Sequence, residues 1–231
     1  SSQEKNDTLN NLYRNRAIAD TYEPGSVFKI ITASIALEEN LAAPDKSNVY
    51  NCKGYETING VTIKCSHSAG HGKQSLREAL ENSCNPAFMQ LGKKITAATA
   101  YEYYDAFGFF TKTGIATSGE TNYPIFWDLD DVGPIEVATM SFGQRFKITP
   151  LQMITAACSI ANDGILMQPR IVKEVKNTDT GAVTTIESTQ VRQVISKETA
   201  DTMMDMLESV VTDWKICCSK RIFYSWKNGY F

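Results

Sequence analysis

The chain has 231 residues, 42% hydrophobic and 21% charged, with a formal net charge of −3; this excludes intrinsic disorder and fibrous repeats and fits one globular domain with a sizeable core. A sequence pI near 5.5 leaves no basic footprint for nucleic acid. No apolar run approaches the roughly 20 residues needed to cross a bilayer and no signal-peptide pattern opens the chain, whose polar, abrupt start from Ser1 to Asn11 reads as a fragment with an upstream part missing.

In chain order, Ser26 to Asn40 predicts a helix entered at Pro24-Gly25, with Val27, Ile30, Ile31, Ile35 and Leu37 spaced to bury most of its circumference. Asn51 to Lys64 alternates as a hairpin through Ile58, Val61 and Ile63, and Ser66 to Gly72 is a polar loop. Ser75 and Glu78 spell a capping box opening a helix through Leu80; a break follows at Asn82 to Asn85, and Pro86 suits the first turn of a helix ending near Lys94. Ala97 to Phe107 continues helical, and Gly108 to Pro124 is loop-rich. Thr149-Pro150 starts a helix that Asn162-Asp163-Gly164 stops. Ile165 to Lys176 and Ala182 to Glu187 predict two strands about a turn at Thr178 to Gly181, and Ser196 caps a helix carrying Met203, Met206, Leu207, Val210 and Val211.

Six cysteines are too few for a disulfide scaffold. Cys52 and Cys65 flank the hairpin and could face each other; a bridge there would contribute on the order of 3 kcal/mol in an oxidising compartment, and two free thiols is the other reading. Cys84 and Cys158 fall in helical patterns and are assigned to the core, while Cys217 and Cys218 belong to the tail. Cys65-x-His67-x-x-x-His71 lacks a fourth metal ligand, so no metal or other cofactor is expected.

Two short motifs carry chemistry. Ser26 and Lys29 are three apart on a helix and share a face. A lysine in an apolar surround has a lowered pKa and can take the serine proton, which provides a base without histidine. Ser83-Cys84-Asn85 lies in a helix break, where a hydroxyl and an amide can relay a proton and hold a carbonyl, although Asn85 before Pro86 also reads as a simple N-cap.

The flanking residues add more. Tyr22-Glu23-Pro24-Gly25-Ser26-Val27-Phe28-Lys29-Ile30 resembles the active-site segment of class B penicillin-binding proteins, and Gly70-His71-Gly72 through Pro86 resembles their second motif with its lead-in helix. Phe107 to Glu120, Ala138 to Gln144 with Thr149 to Gln152, and Ile160 to Pro169 continue the likeness, which runs from about Asn15 to Asp213 and is greatest to the division and sporulation type. Arg145 departs from it where a small residue is expected.

The resemblance implies an α+β fold of the penicillin-binding-protein/serine beta-lactamase type, a helical subdomain plus an antiparallel sheet that is incomplete here. It implies a D-alanyl-D-alanine transpeptidase in which Ser26 attacks, Lys29 is the base, Ser83 relays a proton and Asn85 anchors substrate. The implied partners are peptidoglycan stem peptides, beta-lactam antibiotics and division or sporulation membrane proteins. The implied location is the extracytoplasmic face of the bacterial membrane. A serine beta-lactamase or sensor and a non-catalytic scaffold are the alternatives.

The family also needs a Lys-Thr-Gly on an edge strand. Lys112-Thr113-Gly114 sits in a loop and precedes the Ser141 segment, so it is read as a decoy. After Asp213 the likeness stops. Residues 1–213 are therefore taken as a partial transpeptidase domain, and 214–231 as an aberrant tail whose reading one nucleotide out of frame is compatible with the expected Gly-Lys-Thr-Gly strand. Little transpeptidation is expected from the chain as written.

Overall fold

A computed structural model describes residues 12–121 and 125–213. The tail from 214 onward, with its out-of-frame reading and Cys217 and Cys218, lies outside the described residues.

The nucleophile segment opens after a short helix α1 (Arg16–Ala19), with a 3-10 turn at Gly25–Phe28 that runs into α2 (Lys29–Glu38). The tighter first turn differs from the single α-helix expected. In a 3-10 turn residues i and i+3 eclipse, so Ser26 stands directly over Lys29. Phe28 anchors the turn from below: it is fully buried and its ring lies 4.7 Å from Phe146, 5.3 Å from Tyr104 and 5.4 Å from Phe109. Val27, expected inside, faces out, because the turn points only Phe28 into this aromatic cluster.

A small β layer follows. Strand β1 (Tyr50–Cys52) pairs antiparallel with β4 (Gly72–Gln74), and between them β2 (Tyr55–Ile58) and β3 (Val61–Lys64) form a hairpin with Ile58 opposite Val61. Its turn residues Asn59 and Gly60 both have positive φ, which matches the right-handed twist of a hairpin. The hairpin thus begins at Tyr55, and Cys52 belongs to the neighbouring pair instead.

Helix α3 (Leu76–Glu81) starts at the expected capping box, Ser75 and Glu78 each bonding the other's backbone N–H. Helix α4 (Asn85–Gly92) carries Pro86 in its first turn. Helix α5 (Ala97–Ala106) is capped by Thr96, α6 spans Pro134–Met140, and α7 (Pro150–Ala161) opens with a reciprocal Thr149–Gln152 cap. Cys158 is exposed on α7, a correction to its core assignment. The buried stripe there is Gln152, Met153, Ala156, Ser159 and Ile160, which turns position 158 outward.

The stretch from Ile165 to Lys176 divides into β5 (Ile165–Met167) and β6 (Glu174–Lys176), with Pro169 between them, rather than forming one strand. Strand β6 pairs with β7 (Val183–Thr185), while β5 pairs with β8 (Gln190–Gln193). The described strands form four antiparallel pairs. Helix α8 (Lys197–Asp213) packs against α2, α3 and α7, burying Ala200, Met203 and Met206 but leaving Val211 exposed near its end. Arg77 on α3 ties α8 down, its guanidinium bridging Asp45 at 2.6 Å and Asp205 at 2.7 Å. The architecture is α+β, and no described helix is long and apolar enough to cross a membrane.

Candidate active site

The four singled-out side chains meet at one nitrogen. Lys29 is 1% exposed, and its Nζ lies 3.1 Å from Ser26 Oγ, 2.9 Å from Ser83 Oγ, 2.6 Å from the Ser83 carbonyl and 2.7 Å from Asn85 Oδ1. The last two can only accept. A neutral amine has two N–H groups and one lone pair; donating to those two short acceptors leaves the lone pair for a hydroxyl proton of Ser26 or Ser83. Burial lowers the Lys29 pKa to about 8, opposed by charge at Cys84 and Cys65, so the neutral form is accessible near neutrality. The Phe88 ring, 5.5 Å from Nζ, forms part of the apolar wall.

Ser26 is exposed, as a nucleophile must be, while the lysine beneath it is not. Ser83 reaches the lysine through a left-handed backbone, φ +47°. That conformation costs a non-glycine residue roughly 1–2 kcal/mol, and it turns both the carbonyl and the hydroxyl of Ser83 onto Nζ. Asn85 is not the N-cap of α4: Cys84 holds that position, and the Asn85 side chain is instead spent on Lys29.

Residues behind the site hold its two halves together, and these were not assigned roles from the motifs. Thr32 Oγ1 donates to the Ser141 carbonyl at 2.9 Å, and the Gly25 N–H donates to the Gly143 carbonyl at 2.8 Å. A Cβ on Gly143 would stand 2.1 Å from the Gly25 carbonyl oxygen, and one on Gly92 would stand 2.8 Å from Ser141 Cβ. The Ala138 to Gln144 stretch is thus the backing against which the nucleophile turn is pressed. Its glycine was visible in the sequence, but the partner that requires it is 118 residues away and was not. Arg145, the odd residue of that stretch, adopts φ +67° and is pinned by Glu136 and by its N–H to Glu23 at 3.1 Å, while Trp127 donates to its carbonyl at 2.9 Å.

Lys112-Thr113-Gly114 lies elsewhere, off any strand. The Thr113 N–H and hydroxyl and the Gly114 N–H all donate to Glu120, and Gln168 donates to the Gly114 carbonyl. The polar groups of Thr113 and Gly114 are thus engaged in closing a loop.

Beside the second motif, Cys52, Cys65, His71 and Cys84 converge, their ligand atoms all within 4.8 Å of one another. The three cysteines are free thiols. The His67 ring lies 5.0 Å from the His71 ring, tilted by 33°. His67 is not one of the four; Cys52 and Cys84, brought in by the fold, complete Cys65 and His71 to a set of four ligand atoms.

A family model described as the penicillin binding protein transpeptidase domain matches residues 1–216. Stage V sporulation protein D of Bacillus subtilis is 40% identical over 201 residues, 87% of this chain and 31% of that protein. Peptidoglycan D,D-transpeptidase PbpA of Mycolicibacterium smegmatis is 33% identical over 205 residues, 84% of this chain and 39% of that protein. The chain therefore spans well under half the length of either relative. The crystal structure of penicillin-binding protein 3 from Mycobacterium tuberculosis complexed with aztreonam is similar with a TM-score of 0.75 at 30% identity, covering 85% of this chain and 43% of that chain. A transpeptidase domain from Eggerthella lenta reaches a TM-score of 0.78 at 29% identity over 90% of this chain and 54% of that one. A family model matched across nearly the whole chain, on a fold shared with these solved domains, makes the chain a member of the penicillin-binding protein transpeptidase domain family.

Proposed function

We propose that the chain carries the acyl-transfer site of a peptidoglycan D-alanyl-D-alanine transpeptidase. The observation that supports it most is buried Lys29, whose Nζ is surrounded by Ser26 Oγ, Ser83 and Asn85. Lys29 in its neutral form removes the Ser26 proton as Oγ attacks the penultimate carbonyl of a stem peptide. The proton then returns through Ser83 Oγ to the departing D-alanine nitrogen, and a neighbouring stem amine later takes the acyl group from Ser26. Asn85, fixed at its oxygen end by Lys29, offers its amide nitrogen to the substrate carbonyl. The Ser26 N–H, at the start of the 3-10 turn, provides one oxyanion donor, a contact contributing roughly 3 kcal/mol. Beta-lactams acylate the same oxygen in this reading. The location proposed is the extracytoplasmic face of the membrane, in company with division or sporulation proteins.

Incubation with a labelled penicillin followed by intact mass and peptide mapping tests it. The expected result is one adduct on Ser26, absent in Ser26→Ala. An adduct elsewhere, or rapid release of hydrolysed lactam, would replace the transpeptidase reading with another. Residues 214–231 are proposed as an out-of-frame continuation, so acylation is expected to be slow; the nucleotide sequence checks that directly, and turnover at the level of a complete domain would refute it.

A further inference from the structure

Cys52 ends β1, Cys65 follows β3, His71 precedes β4, and Cys84 sits in the break between α3 and α4. Four separate pieces of chain thus deliver three thiols and an imidazole to one point. The thiols are 1%, 7% and 0% exposed, in the order Cys52, Cys65, Cys84. We propose that these four side chains form a binding site for a tetrahedral divalent metal of the zinc class, and that the bound ion clamps the Ser83-Cys84-Asn85 segment onto Lys29.

The donor set fits the ion. Three sulfurs and one nitrogen in a closed site is a structural zinc set, with bonds of about 2.3 Å to sulfur and about 2.0–2.1 Å to nitrogen. Those bond lengths place tetrahedral ligand atoms about 3.6–3.8 Å apart. Cys65 Sγ and His71 Nδ1 already lie 3.5 Å apart, and every other pair is within 4.8 Å, so closing the site takes side-chain adjustments of about 1 Å or less.

Polar donors lie beside two of the sulfurs. Gln74 is 2% exposed, its Nε2 has no hydrogen-bond partner among the described residues, and its side chain lies beside Cys84. The backbone N–H groups of His71 and Gly54 face the Cys52 sulfur. Such donors around sulfur are the outer contacts that hold metal thiolates in place. The loop that carries them is built for close approach: at Gly70, φ +79°, a Cβ would stand 2.4 Å from the Cys52 carbonyl oxygen, and at Gly54 one would stand 2.2 Å from the Ser68 carbonyl oxygen. Loading balances simply: the ion replaces three thiol protons, leaving a site of net charge −1.

The consequence for the reaction is positional. Cys84 is flanked on both sides by residues that bond Lys29 Nζ. A metal–sulfur bond at Cys84 would fix the left-handed turn at Ser83 by a force independent of the lysine. The metal is a positioning device here and touches no reacting atom.

Elemental analysis of the purified chain, paired with Co2+ exchange, tests the site. About one metal per chain is expected, with cobalt giving thiolate charge-transfer absorption and the strong visible bands of a tetrahedral centre. Cys52→Ser and His71→Ala should each lower the stoichiometry, whereas Cys158→Ser combined with Cys217→Ser and Cys218→Ser should retain it. Metal-free protein that gains no thermal stability on adding Zn2+, loss of metal only with the Cys217 and Cys218 changes, or a disulfide among Cys52, Cys65 and Cys84 in a protein without metal affinity would each overturn the site. Chelation of the wild-type chain tests the clamp. Labelled-penicillin acylation should fall at least about tenfold and return with Zn2+, with circular dichroism unchanged; an unaltered rate in metal-free protein would overturn the clamp. Metal content is read without any catalytic assay, so failure of this inference is distinguishable from failure of the acyl-transfer reading.

Discussion

Two serines reach the same lysine by different physics. Ser26 is three residues from Lys29 on one 3-10 turn, held over it by local geometry and by Phe28 beneath. Ser83 and Asn85 arrive from 54 and 56 residues away, on a segment bent into a left-handed turn and supported by a cluster of thiols. The first half of the site is made wherever its turn forms; the second exists only when the whole domain has folded around it. The site's reactivity therefore depends on a contact between a robust element and a dependent one, and substitutions on the two sides should fail differently.

The largest effect is expected at the shared nitrogen. Lys29→Met should slow penicillin acylation by about 10²–10⁴-fold, the scale of a lost general base, as measured by adduct formation against time. The pH profile sharpens the point. With the Lys29 pKa lowered to about 8, acylation should rise with pH through that value and then level. The stability sign follows from the same shift: folding lowers this pKa from 10.5, so the unfolded chain binds more protons between about 8 and 10.5, and stability contributed by this group rises with pH across that window. Below about 8 the cost of the buried ammonium is fully present. A flat acylation profile between pH 7 and 9 would remove Lys29 as the base.

Next comes the support of the local half. Gly143→Ala places a methyl 2.1 Å from the Gly25 carbonyl oxygen at φ +81°, which should destabilise the fold by roughly 3 kcal/mol in denaturant titration and slow acylation with it. If Gly143→Ala left Ser26 reactivity intact, the nucleophile turn would be more self-sufficient than its backing implies. The dependent half can be separated from its strain. Ser83→Ala keeps φ +47° and loses the hydroxyl, whereas Ser83→Gly also relieves the backbone. Both should lose acylation equally, while Ser83→Gly should be the more stable by about 1 kcal/mol. Lys112→Ala, in the decoy loop, should change acylation by less than about twofold.

Cys84 shows why much of the second half was invisible beforehand. The capping box at Ser75 and Glu78 and the break at Asn82 to Asn85 were both readable, because helix starts and stops are written in residues three or four apart. That break could equally have meant an N-cap at Asn85, and nothing within reach of the segment says that Lys29 claims its amide oxygen. Val27 was placed inside by periodicity yet is exposed, since a helical period reports a stripe and not which end of it the neighbours cover.

Local chemistry was settled by the amino-acid order alone: the Ser26–Lys29 spacing, the helix caps at Ser75, Thr149 and Ser196, the hairpin alternation through Ile58, Val61 and Ile63, and the loop character of Lys112-Thr113-Gly114, all of which depend on interactions across a few residues. Only the tertiary structure decided that Ser83 and Asn85 close on Lys29, that Gly143 backs Gly25, and that Cys52, Cys65, His71 and Cys84 share one point. Those are meetings of side chains 6 to 118 residues apart, and such contacts are set by which surfaces bury together, not by any spacing along the chain.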